Sequence, residues 1–322
     1  MEYTLLGKTN LRISKIGIGT WQWGTKSWGY GKTYTFEDLK KAFREAYDHG
    51  INFIDTAEIY GNGESEKIIG KLVEGIREEI VIASKVFPHH LTYRGTLNAF
   101  ERSAKRLKTK YIDLYYIHWP NPLIPMKSTA KAFLELLNQN KIRAIGVSNF
   151  NLNKMQKFNK LVEDQLSANQ VRYSLLHREP EKALLPYCKL NEITLVAYSP
   201  IDQGAITGKY SEKKLPKDIW RRANTLFTSI NMKRIKPLIE TLKTIAERHG
   251  VKPVNVALRY IIQMGAVPLV GVKKKHHVED IILSLEMNLK QSEIDLIRKQ
   301  LNKIKLVKPR AYPYVIKRIL FG

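Results

Sequence analysis

The chain has 322 residues, 43% of them hydrophobic, with 54 Lys and Arg against 30 Asp and Glu and a formal net charge of +24. That length and apolar content suit one large core over 1–322. No apolar run approaches the roughly 18 residues of a membrane span, and the lone Cys188 excludes an internal disulfide framework.

The stretch 3–14 has a Gly-Lys-Thr-Asn turn between two short alternating runs and predicts a β-hairpin capping the chain's start. Strands and helices then alternate: strands at 15–20, 51–55, 80–85, 112–118 and 143–148, with helices at 36–49, 64–74, 93–107, 128–139 and 152–162. A short strand follows at 168–171, then a helix over 179–190 and a strand at 194–199. Residues 200–230 show no period, and a stretch this long without structure is usually functional. Helices at 232–249 and 253–264, a strand at 267–271, helices at 276–285 and 291–302, and a basic, apolar tail over 303–322 complete the chain. The first residues carry no charged-then-apolar leader, so a cytoplasmic location is expected.

Eight strands, each followed by helix, predict a (β/α)8 TIM barrel with an N-terminal hairpin and a C-terminal extra helix and tail. The strands are continuous apolar runs, as expected when both faces of a parallel sheet are covered. A doubly wound sheet would favour a Gly-x-Gly-x-x-Gly turn, and neither 17–22 nor 61–66 has the third glycine. No His-Glu-x-x-His, paired cysteines or Walker lysine loop is present, and no metal is expected.

Four polar residues stand at or near the ends of successive apolar runs: Asp55, Tyr60, Lys85 and His118. Charges there are costly unless paired, and the C-terminal ends of barrel strands are where barrel enzymes keep their chemistry. Further motifs follow in order: Gly19-Thr20-Trp21, Asp55-Thr-Ala-Glu58-x-Tyr60-Gly61, Ser84-Lys85, His118-Trp119-Pro120, Ile145-Gly-Val-Ser-Asn-Phe150, Asn169-Gln170-Val171, Tyr198-Ser199-Pro200, Gly204, Gly208-Lys209 and Gly271-x-Lys273. In this order and spacing the chain resembles the aldo-keto reductases over nearly its whole length.

That resemblance implies a nicotinamide dinucleotide across the C-terminal face of the barrel and hydride transfer to a small-molecule carbonyl. Carbonyl reduction needs a proton for oxygen, and free tyrosine, with a pKa near 10, is a weak donor at neutrality. Lys85 is expected to lower the phenol's pKa, with Asp55 holding Lys85, Tyr60 as general acid and His118 orienting the carbonyl. By the same resemblance Gly19, Thr20 and Asp55 lie at the cofactor. Ser148, Asn149 and Gln170 meet the carboxamide, and Tyr198 stacks on the nicotinamide. Ser199, Ile201, Gln203, Gly204 and Lys209 line the pyrophosphate. Lys273, Lys274, Lys275 and His277 suit the 2′-phosphate of NADP(H), and Asp280 is left near the adenine where family members often have an asparagine.

Trp21 and Trp119, beside motif residues, are expected at the substrate; Trp23, Trp28, Tyr30 and Trp220, with Tyr312, Tyr314 and Phe321 of the tail, are further candidates for an aromatic pocket or cover. Two other readings exist: a cofactor-sensing subunit of a larger assembly, and a polyanion binder suggested by the charge. Basic residues concentrate at 205–236 and 303–322, but aromatics are not interleaved with them, so a specific nucleic-acid partner is not expected. No membrane partner is expected, and the chain is expected to be a monomer or a weak homo-oligomer.

Overall fold

The structure, a computed structural model, describes residues 1–307; the expectations placed on Tyr312, Tyr314, Phe321 and most of the tail lie outside them. Eight parallel strands close into a barrel in the order β10-β3-β4-β5-β6-β7-β8-β9. They are β3 (Gly17–Gly19), β4 (Phe53–Asp55), β5 (Val81–Val86), β6 (Ile112–Ile117), β7 (Ile142–Ser148), β8 (Leu166–Arg172), β9 (Thr194–Tyr198) and β10 (Val267–Gly271). Every residue of β5 and β6 is buried, which is why both read as mainly apolar rather than alternating, with Ser84, Lys85 and Asp113 as the polar exceptions.

Helices α1 (Phe36–Asp48), α2 (Glu64–Leu72), α3 (Tyr93–Leu107), α4 (Met126–Asn138), α5 (Leu152–Leu161) and α6 (Leu184–Leu190) form connections between the strands. They are followed by α7 (Ile219–Arg222), α8 (Ser229–Arg248), α9 (Pro253–Gln263), α10 (Lys275–Ile282) and α11 (Gln291–Lys303). Local signals set several boundaries: Thr35 and Asp38 form a capping box at the start of α1, and Thr92 accepts from the Gly95 N–H to start α3.

The hairpin, β1 (Tyr3–Leu5) with β2 (Arg12–Ser14), closes the N-terminal end of the barrel. Its Leu6, Leu11 and Ile13 join Phe53, Val81, Leu114, Tyr116 and Leu269 in the interior core. Gly7 is required there: its φ is +57°, and a Cβ would sit 2.5 Å from the Ser167 carbonyl oxygen. The plug leaves only the C-terminal face open for chemistry.

Two predicted elements differ. The helix expected over 179–190 is a 3-10 turn, Glu179–Glu181, followed by the shorter α6. The break falls at Ala183, whose φ of −139° is not helical, and Pro186 sits in the first turn of α6, where its missing N–H leaves no helical bond unmade. The aperiodic 200–230 stretch contains α7 and two 3-10 turns, Asp202–Gly204 and Thr225–Phe227. No helix among the described residues is long and apolar enough to cross a membrane.

Candidate active site

Parallel pairing sets the end of β4 beside β5, and β5 beside β6, so the polar residues at their C-terminal ends converge. Lys85 on β5 is fully buried. Its Nζ donates to Asp55 Oδ1 at 2.6 Å, to the Thr56 carbonyl at 2.8 Å and to Tyr60 Oη at 3.2 Å. Asp55 Oδ2 accepts from Gln170 Nε2 at 2.7 Å. Tyr60 opens a tight turn in which Gly61, Asn62 and Gly63 all have left-handed backbone, and this swings the ring back over Lys85, whose ammonium lies 4.8 Å from its centroid. His118, just past β6, stands edge-on to the Tyr60 ring at 5.7 Å and stacks on Trp119 at 3.8 Å. Its Nδ1 is buried with no hydrogen-bond partner among the described residues, so stacking and the backbone hold the ring.

The electrostatics correct one expectation. The Tyr60 phenol is held well above its usual pKa, by burial and then by the Asp55 carboxylate, rather than being lowered by Lys85. Burial itself penalises the phenolate, and the Lys85 ammonium that would offset it is already paired with Asp55. Tyr60 therefore keeps its proton at neutral pH. Burial and then the Lys85 charge push His118 well below its usual range, so it is neutral. Burial raises Asp55 and lowers Lys85, each opposed by the partner's charge.

On the far side of Asp55, β7, β8 and β9 contribute a hydrogen-bonded chain. Tyr198 Oη donates to Asn149 Oδ1 at 2.9 Å, Asn149 Nδ2 donates to the His118 carbonyl at 3.0 Å, and Ser148 Oγ donates to the Gln170 carbonyl at 2.9 Å. Asn149 and Ser199 both have positive φ, at 62° and 53°. Beyond them, Asp202, Gln203 and Gly204 continue in left-handed conformations, and a Cβ on Gly204 would meet nothing closer than 3.8 Å. Ile201 enters this turn and packs on the core. The turn is held by its own bonds, the Asp202 and Gly204 N–H groups donating to the Ser199 and Ile201 carbonyls, and leaves open space beside Gly204.

Beside that turn lies a group of cations. Arg221 of α7 donates to the Gln203 carbonyl at 2.8 Å and lies 5.3 Å from the Trp28 ring. Lys273 donates to the Trp28 carbonyl at 2.7 Å and lies 4.6 Å from the Tyr34 ring. Burial, with Arg221 and Lys209 nearby, lowers the Lys273 pKa to about 8, opposed by Asp218. Cations pressed together and incompletely neutralised suit an anionic ligand. Arg221 went unnoticed in the sequence because the short helix that carries it has no periodic signal.

The other expected residues lie around this centre. Thr20 is fully buried, its Oγ1 bonded to the Asp55 carbonyl and to Ser65, so it ties strand ends together behind Asp55. Gly19 pairs with Asp55 and Gly271 in the barrel wall. Lys275 pairs with Glu45 and Glu279, Asp280 with Lys252, and Lys274 is exposed. Burial and then His276 lower His277 to about 4, so it is no cation at neutral pH; its Nδ1 accepts the Lys273 N–H. Trp23 is buried, donating to the Val272 carbonyl, and belongs to the core. Trp21 and Trp119 are 36% and 38% exposed at the mouth, and Trp21, Trp28 and Trp220 pack together with centroids 5.3–5.9 Å apart.

The model of the aldo/keto reductase family matches residues 15–302. The chain is 37% identical over 293 residues to the aldo-keto reductase YhdN of Bacillus subtilis, covering 87% of each protein. It is 33% identical over 303 residues to the chloroplastic pyridoxal reductase of Arabidopsis thaliana, covering 88% of this chain and 82% of that one. A crystal structure of an aldo/keto reductase from Klebsiella pneumoniae in complex with NADP and acetate aligns at a TM-score of 0.77 and 27% identity, covering 95% of this chain and 100% of that one.

Proposed function

The chain belongs to the aldo/keto reductase family, and from that premise we propose that it reduces aldehydes and ketones to alcohols with NADP(H), Tyr60 giving the proton. The observation that carries this reading is the Lys85 ammonium held between Asp55 Oδ1 and Tyr60 Oη at 2.6 and 3.2 Å. As a carbonyl oxygen gains charge, the Tyr60 proton moves onto it, and Lys85, already hydrogen-bonded to the phenol oxygen, stabilises the phenolate left behind. Neutral His118 is the hydrogen-bonding group that orients the carbonyl. Trp21 and Trp119 border the substrate.

The residues present fit a phosphorylated dinucleotide: an open left-handed turn stands beside incompletely neutralised cations. Ser148, Asn149 and Gln170 hold the carboxamide and Tyr198 packs on the ring. Ser199, Ile201, Gln203, Gly204 and Lys209 hold the pyrophosphate, and Lys273 with Arg221 and Lys274 holds the 2′-phosphate. When bound, the reduced nicotinamide supplies the hydride. The Klebsiella structure is of a complex with NADP, and the Arabidopsis relative is named for reducing pyridoxal, an aldehyde; both support the reading.

A panel of aromatic and aliphatic aldehydes, followed by loss of the reduced-cofactor absorbance, tests it. Turnover with NADPH is expected, with a lower KM for NADPH than for NADH. No turnover with any aldehyde contradicts the reading, and a preference for NADH contradicts the role given to Lys273 and its neighbours.

A further inference from the structure

Glu58 lies two residues before Tyr60 and is buried, 9% exposed, although it is no member of the Tyr60–Lys85–Asp55 set. Its Oε1 accepts the backbone N–H of Phe87 at 2.6 Å and lies 3.0 Å from His90 Nδ1, while Oε2 is 3.5 Å from an Arg102 nitrogen. Strand β5 ends at Val86, so the Phe87 N–H lies beyond the ladder and Glu58 supplies its acceptor. The Glu58 backbone N–H meets the Lys85 carbonyl at 3.4 Å. The segment carrying Tyr60 and the segment carrying Lys85 are thus joined at Lys85 and again two residues beyond it.

The same junction reaches His118. The Phe87 ring stands edge-on to Trp119 at 6.5 Å, Trp119 stacks on His118, and the His118 N–H donates to the Val86 carbonyl at 3.1 Å. One side-chain oxygen therefore fixes the point where the segments bearing Tyr60, Lys85 and His118 meet. The cationic neighbours sit outward: the side chains of His90 and Arg102 are 43% and 45% exposed, where water screens their charge.

We propose that Glu58 is a positioning residue that sets the Tyr60–Lys85 separation through the reach of its side-chain oxygen to the Phe87 N–H, not through its charge. The proposal rests on the reading of Tyr60 as proton donor. Misplacing such a pair by about 1 Å costs on the order of 10²-fold in rate, so a clamp at this point acts on kcat.

Two substitutions separate reach from charge. Glu58→Gln keeps the reach and an acceptor oxygen but removes the charge; Glu58→Asp keeps the charge and withdraws the oxygen by one methylene. With NADPH and an aldehyde the wild-type protein reduces, Glu58→Gln is expected within about threefold of wild-type kcat, and Glu58→Asp roughly 10- to 100-fold lower with its KM for NADPH within about twofold. Wild-type kcat in Glu58→Asp overturns the proposal. So does a loss in Glu58→Gln as large as in Glu58→Asp, or a rise in KM for NADPH matching the fall in kcat, which marks general distortion. If Glu58→Asp does not fold, Glu58→Ala takes its place: near-wild-type Glu58→Gln with Glu58→Ala about 10-fold or more lower in kcat supports reach, and wild-type kcat in Glu58→Ala or a crippled Glu58→Gln overturns it. Tyr60→Phe measured alongside separates the two readings, because an active Tyr60→Phe removes the proton-donor assignment whatever the Glu58 variants do.

Discussion

A fully buried ammonium persists only if its three protons find acceptors, and Lys85 gives them to Asp55, Thr56 and Tyr60. Lys85→Met would strand the Asp55 carboxylate with Gln170 as its remaining side-chain partner. Breaking a buried pair on one side typically costs about 3–5 kcal/mol, so a urea titration of Lys85→Met should show a loss of that order. Chemistry should suffer as well. The Tyr60 phenol already lies above its usual value through burial and Asp55, and without the ammonium it rises further. Alcohol oxidation needs the phenolate, so the rising limb of its pH–rate profile should move to higher pH; an unchanged limb at wild-type stability would contradict the coupling. Asp55, Tyr60, Lys85 and His118 were legible in the sequence because charged or polar residues interrupt apolar runs at their ends. The partner of Glu58, a backbone N–H 29 residues away, leaves no trace in composition or period. The direction of the Tyr60 shift also needed coordinates, since it is set first by the depth at which the phenol is buried and then by the Asp55 carboxylate.

At the scale of elements, legibility followed self-sufficiency. The helical spacing of α1 and the apolar runs of β5 and β6 carry their own signals. The 200–230 stretch does not, because α7 has four residues, too few to hold a helix unaided. It is held by tertiary contacts: Trp220 stacks on Trp28 at 5.9 Å and donates to Ser27, while Arg221 holds the Gln203 turn. Aromatic pairs of this kind contribute about 0.5–1.5 kcal/mol each beyond burial. Trp220→Ala should therefore release this segment locally, so that limited trypsin digestion cuts at the basic residues of 209–222 faster than in the wild type. The barrel's urea midpoint should stay nearly the same, because the strands gain nothing from that contact. Equal cleavage rates in the two proteins would show that the tryptophan contacts do not hold the segment.

At the scale of the molecule, the hairpin closes one end of the barrel and every strand delivers its C-terminal end to the other. The alternation of strand and helix made the barrel legible, whereas the plug of Leu6, Leu11 and Ile13 was not, since a hairpin's apolar face does not say which end it covers. The +24 charge fits the same picture, because a basic surface attracts an anionic dinucleotide over distances of about a Debye length. We propose that this mouth performs NADPH-dependent carbonyl reduction with Tyr60 as proton donor. It is tested most directly by Tyr60→Phe, which removes one oxygen and little volume, with turnover and NADPH binding measured on the same preparation. Turnover should fall by about 10²-fold or more, the usual range for a lost general acid, while NADPH quenches tryptophan fluorescence with nearly wild-type affinity. A variant that keeps more than about a tenth of the wild-type rate would contradict the account.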